Sequence, residues 1–121
     1  MTATELFQPE RFTVEPMVPG DLPQVLAIEQ ASFKRPWTLD GFTTELKRGP
    51  AVSLVLKNGP EIMGYLVFWL IADEIHILNI AVRPDFRKKG LGKILLEYLT
   101  DFARGVGASQ AFLEVRKSNI G

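Results

Sequence analysis

At 121 residues the chain is the length of one domain, and its 46% hydrophobic content is that of a folded globular protein. Fourteen basic residues cancel fourteen acidic ones, which argues against a dedicated nucleic-acid partner, and the absence of cysteine excludes disulfides, thiolate metal sites and a cysteine nucleophile. The polar, acid-containing start (Met1 to Glu10) does not read as a signal peptide, and the apolar run Ile62 to Ala72 is too short to span a bilayer. The expectation is one cytoplasmic domain over residues 1–121, with 1–10 a loose tail, no metal and no membrane partner.

In chain order, Arg11 to Met17 alternates as a short strand does. Pro19-Gly20-Asp21 interrupts it, and Asp21 is placed to cap a helix with apolar positions Leu22, Val25, Leu26 and Ile28. Phe33 to Trp37 is an aromatic loop, and Thr38 can cap a second short helix, Leu39 to Lys47. After Gly49-Pro50 come strands at Ala51 to Leu56, Ile62 to Ile71 and Glu74 to Val82, the first two joined by Lys57-Asn58-Gly59-Pro60, a hairpin signal. The clearest helix is Gly90 to Arg104. Leu91, Ile94, Leu95, Tyr98, Leu99 and Phe102 share one face, and Gly105 and Gly107 end it. Ala111 to Val115 closes a strand–helix–strand unit, so the last two strands should run parallel. The order β-α-α-β-β-β-α-β implies an α/β (α+β) mixed sheet with helices on both faces.

One segment concentrates the chemistry. Between the strand ending at Val82 and the long helix lies a turn containing Arg87, Lys88, Lys89, Gly90, Gly92 and Lys93. Unpaired N–H groups and the dipole at a helix N-terminus favour phosphate, and glycines allow its close approach. The P-loop pattern fails here, because Arg87 stands where its first glycine belongs and Ile94 where Ser or Thr belongs. The dinucleotide fingerprint fails at Leu95. On shape alone, a capped surface helix with a solvated basic turn stays open.

Arg87-x-x-Gly90-x-Gly92 after a Val82-x-Pro84 strand exit resembles the acetyl-CoA motif of the GNAT acetyltransferases. With Leu78 to Val82, Leu113-Glu114-Val115-Arg116, Ser118-Asn119, Asp21-Leu22-Pro23, Ile28-Glu29-Gln30 and Pro36-Trp37, the chain resembles the ribosomal-protein alanine N-acetyltransferases from about Val18 to Asn119. The resemblance implies the GNAT fold and acetyl-CoA as cofactor. It implies transfer of the acetyl group to a primary amine, with a protein or peptide N-terminal alanine, as on a ribosomal protein, as acceptor. Backbone groups of Ile80, Ala81 and Val82 would then face the pantetheine arm, and the turn Lys88 to Lys93, Leu91 included, would hold the pyrophosphate. Asn119 would contact the cofactor, Glu114 would act as general base, and Phe33, Pro36 and Trp37 would line the acceptor groove.

Each of these residues also has a structural explanation. Glu114, among Phe112, Leu113 and Val115, could be paired with Arg116. Phe33, Pro36 and Trp37 could simply pack the corner between two helices. His76, the only histidine, is expected to be a hydrogen-bonded structural residue, and Glu74 is a reserve acid. The family continues past its Ser-Asn with a tyrosine-bearing helix and two strands, so the resemblance implies a C-terminally truncated domain whose last strand could pair in a homodimer. A non-catalytic acyl-CoA-binding domain, or a GNAT enzyme acting on a small amine or lysine, are the alternatives.

Overall fold

The computed structural model describes residues 12–86, 90–108 and 110–113. Their elements are β1 (Phe12–Pro16), α1 (Leu22–Ser32), α2 (Leu39–Lys47), β2 (Ala51–Asn58), β3 (Glu61–Ile71), β4 (Glu74–Val82), α3 (Leu91–Val106) and β5 (Gln110–Leu113). The expected order holds. The strands form one five-stranded sheet in the order β1-β2-β3-β4-β5, antiparallel through β4 and parallel between β4 and β5.

The two faces of the sheet carry separate cores. Leu22, Val25 and Ile28 of α1 and Phe42 of α2 pack with Val55, Ile62, Tyr65, Val67 and Ala81 on one face. Leu91, Leu95 and Leu99 of α3 pack with Leu54, Leu56, Met63, Leu66, Phe68, Ile75 and Ile77 on the other. Both sets follow from period-two alternation in the strands against helical spacing in the helices.

Several local expectations change. Asp21 does not cap α1 with its side chain. Its carboxylate instead accepts the Val18 N–H (2.9 Å) and pairs with Lys57 (3.4 Å), because a short 3-10 turn over Pro19–Asp21 precedes the helix. Thr38 caps α2 as expected, its hydroxyl oxygen accepting the Gly41 N–H at 3.1 Å. β2 runs on to Asn58, so the hairpin turn contracts to Gly59–Pro60. Tyr98 is 40% exposed and lies at the margin of the apolar face of α3. That helix passes through Gly105 and ends at Gly107, where the N–H groups of Gly107 and Ala108 return to the carbonyls of Arg104 and Ala103.

Two β-bulges shape the sheet around the candidate site. In the β2–β3 ladder Leu56 pairs with Gly64 and Lys57 with Ile62, which makes Met63 an extra residue. In the β3–β4 ladder Val67 pairs with Asn79 and Phe68 with Ile77, which makes Leu78 the extra residue. Leu78 and Asn79 consequently both turn to the α1 face. Leu78 joins the core there, and Asn79 reaches Glu29 of α1.

Candidate functional site

The parallel ladder between β4 and β5 covers Glu74 to Ile77 against Gln110 to Leu113, and the bulge at Leu78 follows immediately. Ile80, Ala81 and Val82, the expected pantetheine segment, lie beyond that ladder. Their side chains pack into the two cores, so what they can offer to the β5 side is backbone. The strand exit is anchored by the Arg83 N–H donating to the Met63 carbonyl (2.8 Å) and by Arg83 pairing with Asp85 (2.8 Å) and Glu61 (3.4 Å).

After a short 3-10 turn, Pro84–Phe86, α3 begins at Leu91 with Gly90 as its N-cap. Gly90 has φ +81°, a left-handed conformation that strains any residue with a Cβ. Gly92 is different. Among the described residues, a Cβ there would meet only a methyl of Val82, at 3.9 Å. Nothing in the described chain demands glycine at 92, so the open space beside this helix N-terminus suits an external group that must approach the backbone closely. The Leu91 side chain is buried, so only its backbone is available, whereas Lys93 is exposed and 3.9 Å from Glu97. Arg87, Lys88, Lys89, Glu114 and Asn119 lie outside the described residues.

On the opposite face, Pro36, Trp37, Thr38, Gly41 and Glu45 line an open cleft of about 320 Å³. Pro36 and Trp37 thus both line this cleft. Phe33 does not line this cleft: it is 5% exposed, and its side chain belongs to the core beneath the loop. Trp37 packs on Phe42 with ring centroids 5.1 Å apart, and Phe42 meets Tyr65 edge-on at 5.7 Å. Glu45 accepts a hydrogen bond from the Trp69 indole N–H (2.8 Å) and pairs with Arg48 (3.2 Å). His76 Nε2 lies 3.1 Å from a Glu74 carboxylate oxygen, as expected of a structural histidine, and Glu74 is thereby engaged.

The residue that sequence reasoning underrated is Glu29. It is wholly buried, and its carboxylate accepts from the Trp37 N–H (2.7 Å), the Asn79 side-chain amide (2.7 Å) and the Tyr65 hydroxyl. A signal was present, since Glu29 interrupts the apolar stripe of α1 at a core-facing position. Among the described residues, no buried side-chain polar atom lacks a hydrogen-bond partner, and no helix is long and apolar enough to cross a membrane.

Residues 22–121 match the acetyltransferase (GNAT) family model. The Escherichia coli (strain K12) ribosomal protein bS18-alanine N-acetyltransferase is 33% identical over 107 residues, which are 88% of this chain and 72% of that protein. A Bacillus subtilis (strain 168) protein, provisionally given the same name, is 37% identical over 100 residues, 82% of this chain and 66% of the relative. The chain thus spans 66–72% of the length of these two relatives. Among solved structures, the ribosomal-protein-S18-alanine N-acetyltransferase from Escherichia coli superposes with a TM-score of 0.80 at 31% identity, covering 89% of this chain and 69% of that one.

Proposed function

Because this chain belongs to the acetyltransferase (GNAT) family, we propose that it transfers the acetyl group of acetyl-CoA to the N-terminal amine of a protein, with a ribosomal protein beginning in alanine as the acceptor. The observation that carries the reading is the opening at Gly92 beside the helix N-terminus and the segment Ile80 to Val82 beyond the β4–β5 ladder. The names of the two relatives support the choice of acceptor. The proposed compartment is the cytoplasm, where such an acceptor is made.

In this proposal the N–H groups around Gly90 to Lys93 hold the pyrophosphate, and Arg87, Lys88 and Lys89 add positive charge. Backbone groups of Ile80 to Val82 hold the pantetheine arm and orient the thioester carbonyl. Acetyl-CoA supplies the activated acetyl group. Glu114 would take a proton from the acceptor ammonium, which frees the amine lone pair to attack the thioester carbonyl; the C–S bond then breaks, CoA leaves as its thiolate and gains the remaining proton lost by the amine as the amide forms, and Asn119 would contact the cofactor. With no cysteine in the chain, transfer needs no thiol intermediate on the protein. Pro36 and Trp37 form one wall of the acceptor cleft, anchored from below by Phe33.

The test is release of the free thiol of CoA with three acceptors: a peptide beginning in alanine, the same peptide with only a lysine amine free, and a small polyamine. The N-terminal alanine should be the preferred acceptor. Acetyl-CoA binding without transfer to any of the three would leave a binding domain and overturn the assignment, and preference for lysine or polyamine would overturn the acceptor.

A further inference from the structure

Glu29 joins three parts of the chain that are distant in sequence. Its hydrogen-bond donors come from the loop after α1 (Trp37 N–H), from β3 (Tyr65 hydroxyl) and from the bulge of β4 (Asn79 side-chain amide). Removing a carboxylate from water is costly unless donors replace the lost hydration. Around it lie Leu22, Val25 and Ile28, an apolar setting in which a hydrophobic side chain would serve stability as well as a bonded carboxylate. A buried acid here calls for a reason other than core packing.

We propose that Glu29 is a positioning residue for the acceptor: it sets the Pro36–Trp37 wall of the cleft in register with the strand that carries Ile80 to Val82. The proposal rests on the acetyl-transfer reading for what occupies the cleft. Two links leave Glu29 for that wall and meet at Trp37. One is polar, from the carboxylate to the Trp37 N–H. The other is aromatic, from the Tyr65 that donates to Glu29, through Phe42, to the Trp37 ring. A third link, through Asn79, ends one residue before Ile80, on the donor strand. A shift of the carboxylate therefore loosens the acceptor wall, and a wall that must be ordered when the peptide arrives binds it more weakly. The ligand class served is an extended peptide N-terminus lying against an indole.

Glu29→Gln is the informative variant. One carboxylate oxygen accepts from Tyr65 and Asn79 and the other from Trp37. Whichever oxygen the amide replaces, at least one donor then faces an NH2 group. In a Trp69→Phe background, which leaves Trp37 as the only indole, Glu29→Gln should raise acrylamide quenching of Trp37 fluorescence. With the alanine-terminated peptide, KM should rise about tenfold, the size of one lost hydrogen bond to a charged group, with little change in kcat or in calorimetric affinity for acetyl-CoA. Tyr65→Phe, which keeps the carboxylate and removes one donor, should move both readouts the same way by less. A folded Glu29→Gln protein with unchanged quenching and unchanged acceptor KM would overturn the proposal, as would a loss confined to kcat. If Glu29→Gln does not fold, Tyr65→Phe decides by the same criteria. Should the parent chain transfer no acetyl group, the acetyl-transfer reading falls, and the quenching measurement still decides whether Glu29 holds Trp37.

Discussion

Gly64→Ala tests how tightly the candidate cofactor strand is held. Gly64 sits beside the Met63 bulge and pairs with Val82. A Cβ placed on it would stand 2.8 Å from the Ala81 carbonyl oxygen, and 3.4 Å from both the Val82 Cα and a Leu95 methyl. The nearest obstacle is backbone, which cannot rotate aside as a side chain could, so β3 and β4 must separate locally. Overpacking of this kind costs about 1–3 kcal/mol. For a domain of this size each kcal/mol lowers Tm by roughly 4 °C, so calorimetry should show a fall of roughly 4–12 °C. The displaced segment is Ile80 to Val82, so acetyl-CoA affinity, measured by titration calorimetry below the lowered Tm, should weaken too. Gly105→Ala is the control: nothing lies within 4 Å of a Cβ there, the residue is helical, and the change should stabilise by about 0.5–1 kcal/mol. Wild-type Tm together with wild-type affinity in Gly64→Ala would refute the close approach.

The two glycines of the turn should separate fold from ligand. Gly90→Ala must hold φ +81° and should cost about 1–2 kcal/mol in denaturant unfolding, whereas Gly92→Ala should leave stability nearly unchanged and weaken acetyl-CoA binding in calorimetry. Glu114→Gln should lower kcat by about 10²–10⁴ in the thiol-release assay while cofactor affinity stays the same, as removal of a general base does. Thr38→Ala, which deletes the 3.1 Å bond to the Gly41 N–H, should destabilise by about 0.5–2 kcal/mol in chemical unfolding.

What could be read from the sequence follows a physical division. Elements set by local pattern emerge correctly: the strong apolar stripe of α3, the unbroken apolar run of β3, the threonine cap of α2. Features decided between distant segments do not. The carboxylate of Asp21 could bond forward to a helix or back to Val18, and Lys57 on β2, 36 positions away, lies beside the second arrangement. Tyr65 and Asn79 stand 36 and 50 positions from Glu29, so only the strand register brings them to it. Gly92 could be singled out as a phosphate-turn glycine, but that none of the described residues crowds a Cβ there requires coordinates.

The bulge at Leu78 shows how one such feature governs the site. Ile75 and Ile77 face α3 at odd positions, and Ile80 and Val82 face it at even ones. A regular strand cannot do this, because its side chains alternate strictly. Had β4 continued without the extra residue, Asn79 would have pointed into the apolar α3 core, and Ile80 and Val82 toward Glu29, leaving a buried carboxylate short of a donor. The parity change is written in the sequence as apolar residues at 75, 77, 78, 80 and 82, yet it becomes a bulge only when the strand is paired against β3. The same extra residue turns Asn79 to the α1 face and, among the described residues, follows directly on the Ile77–Leu113 pair of the β4–β5 ladder. The strand thus reverses the faces its side chains take within two residues while staying paired with β3, and the proposed cofactor segment begins where that change is complete.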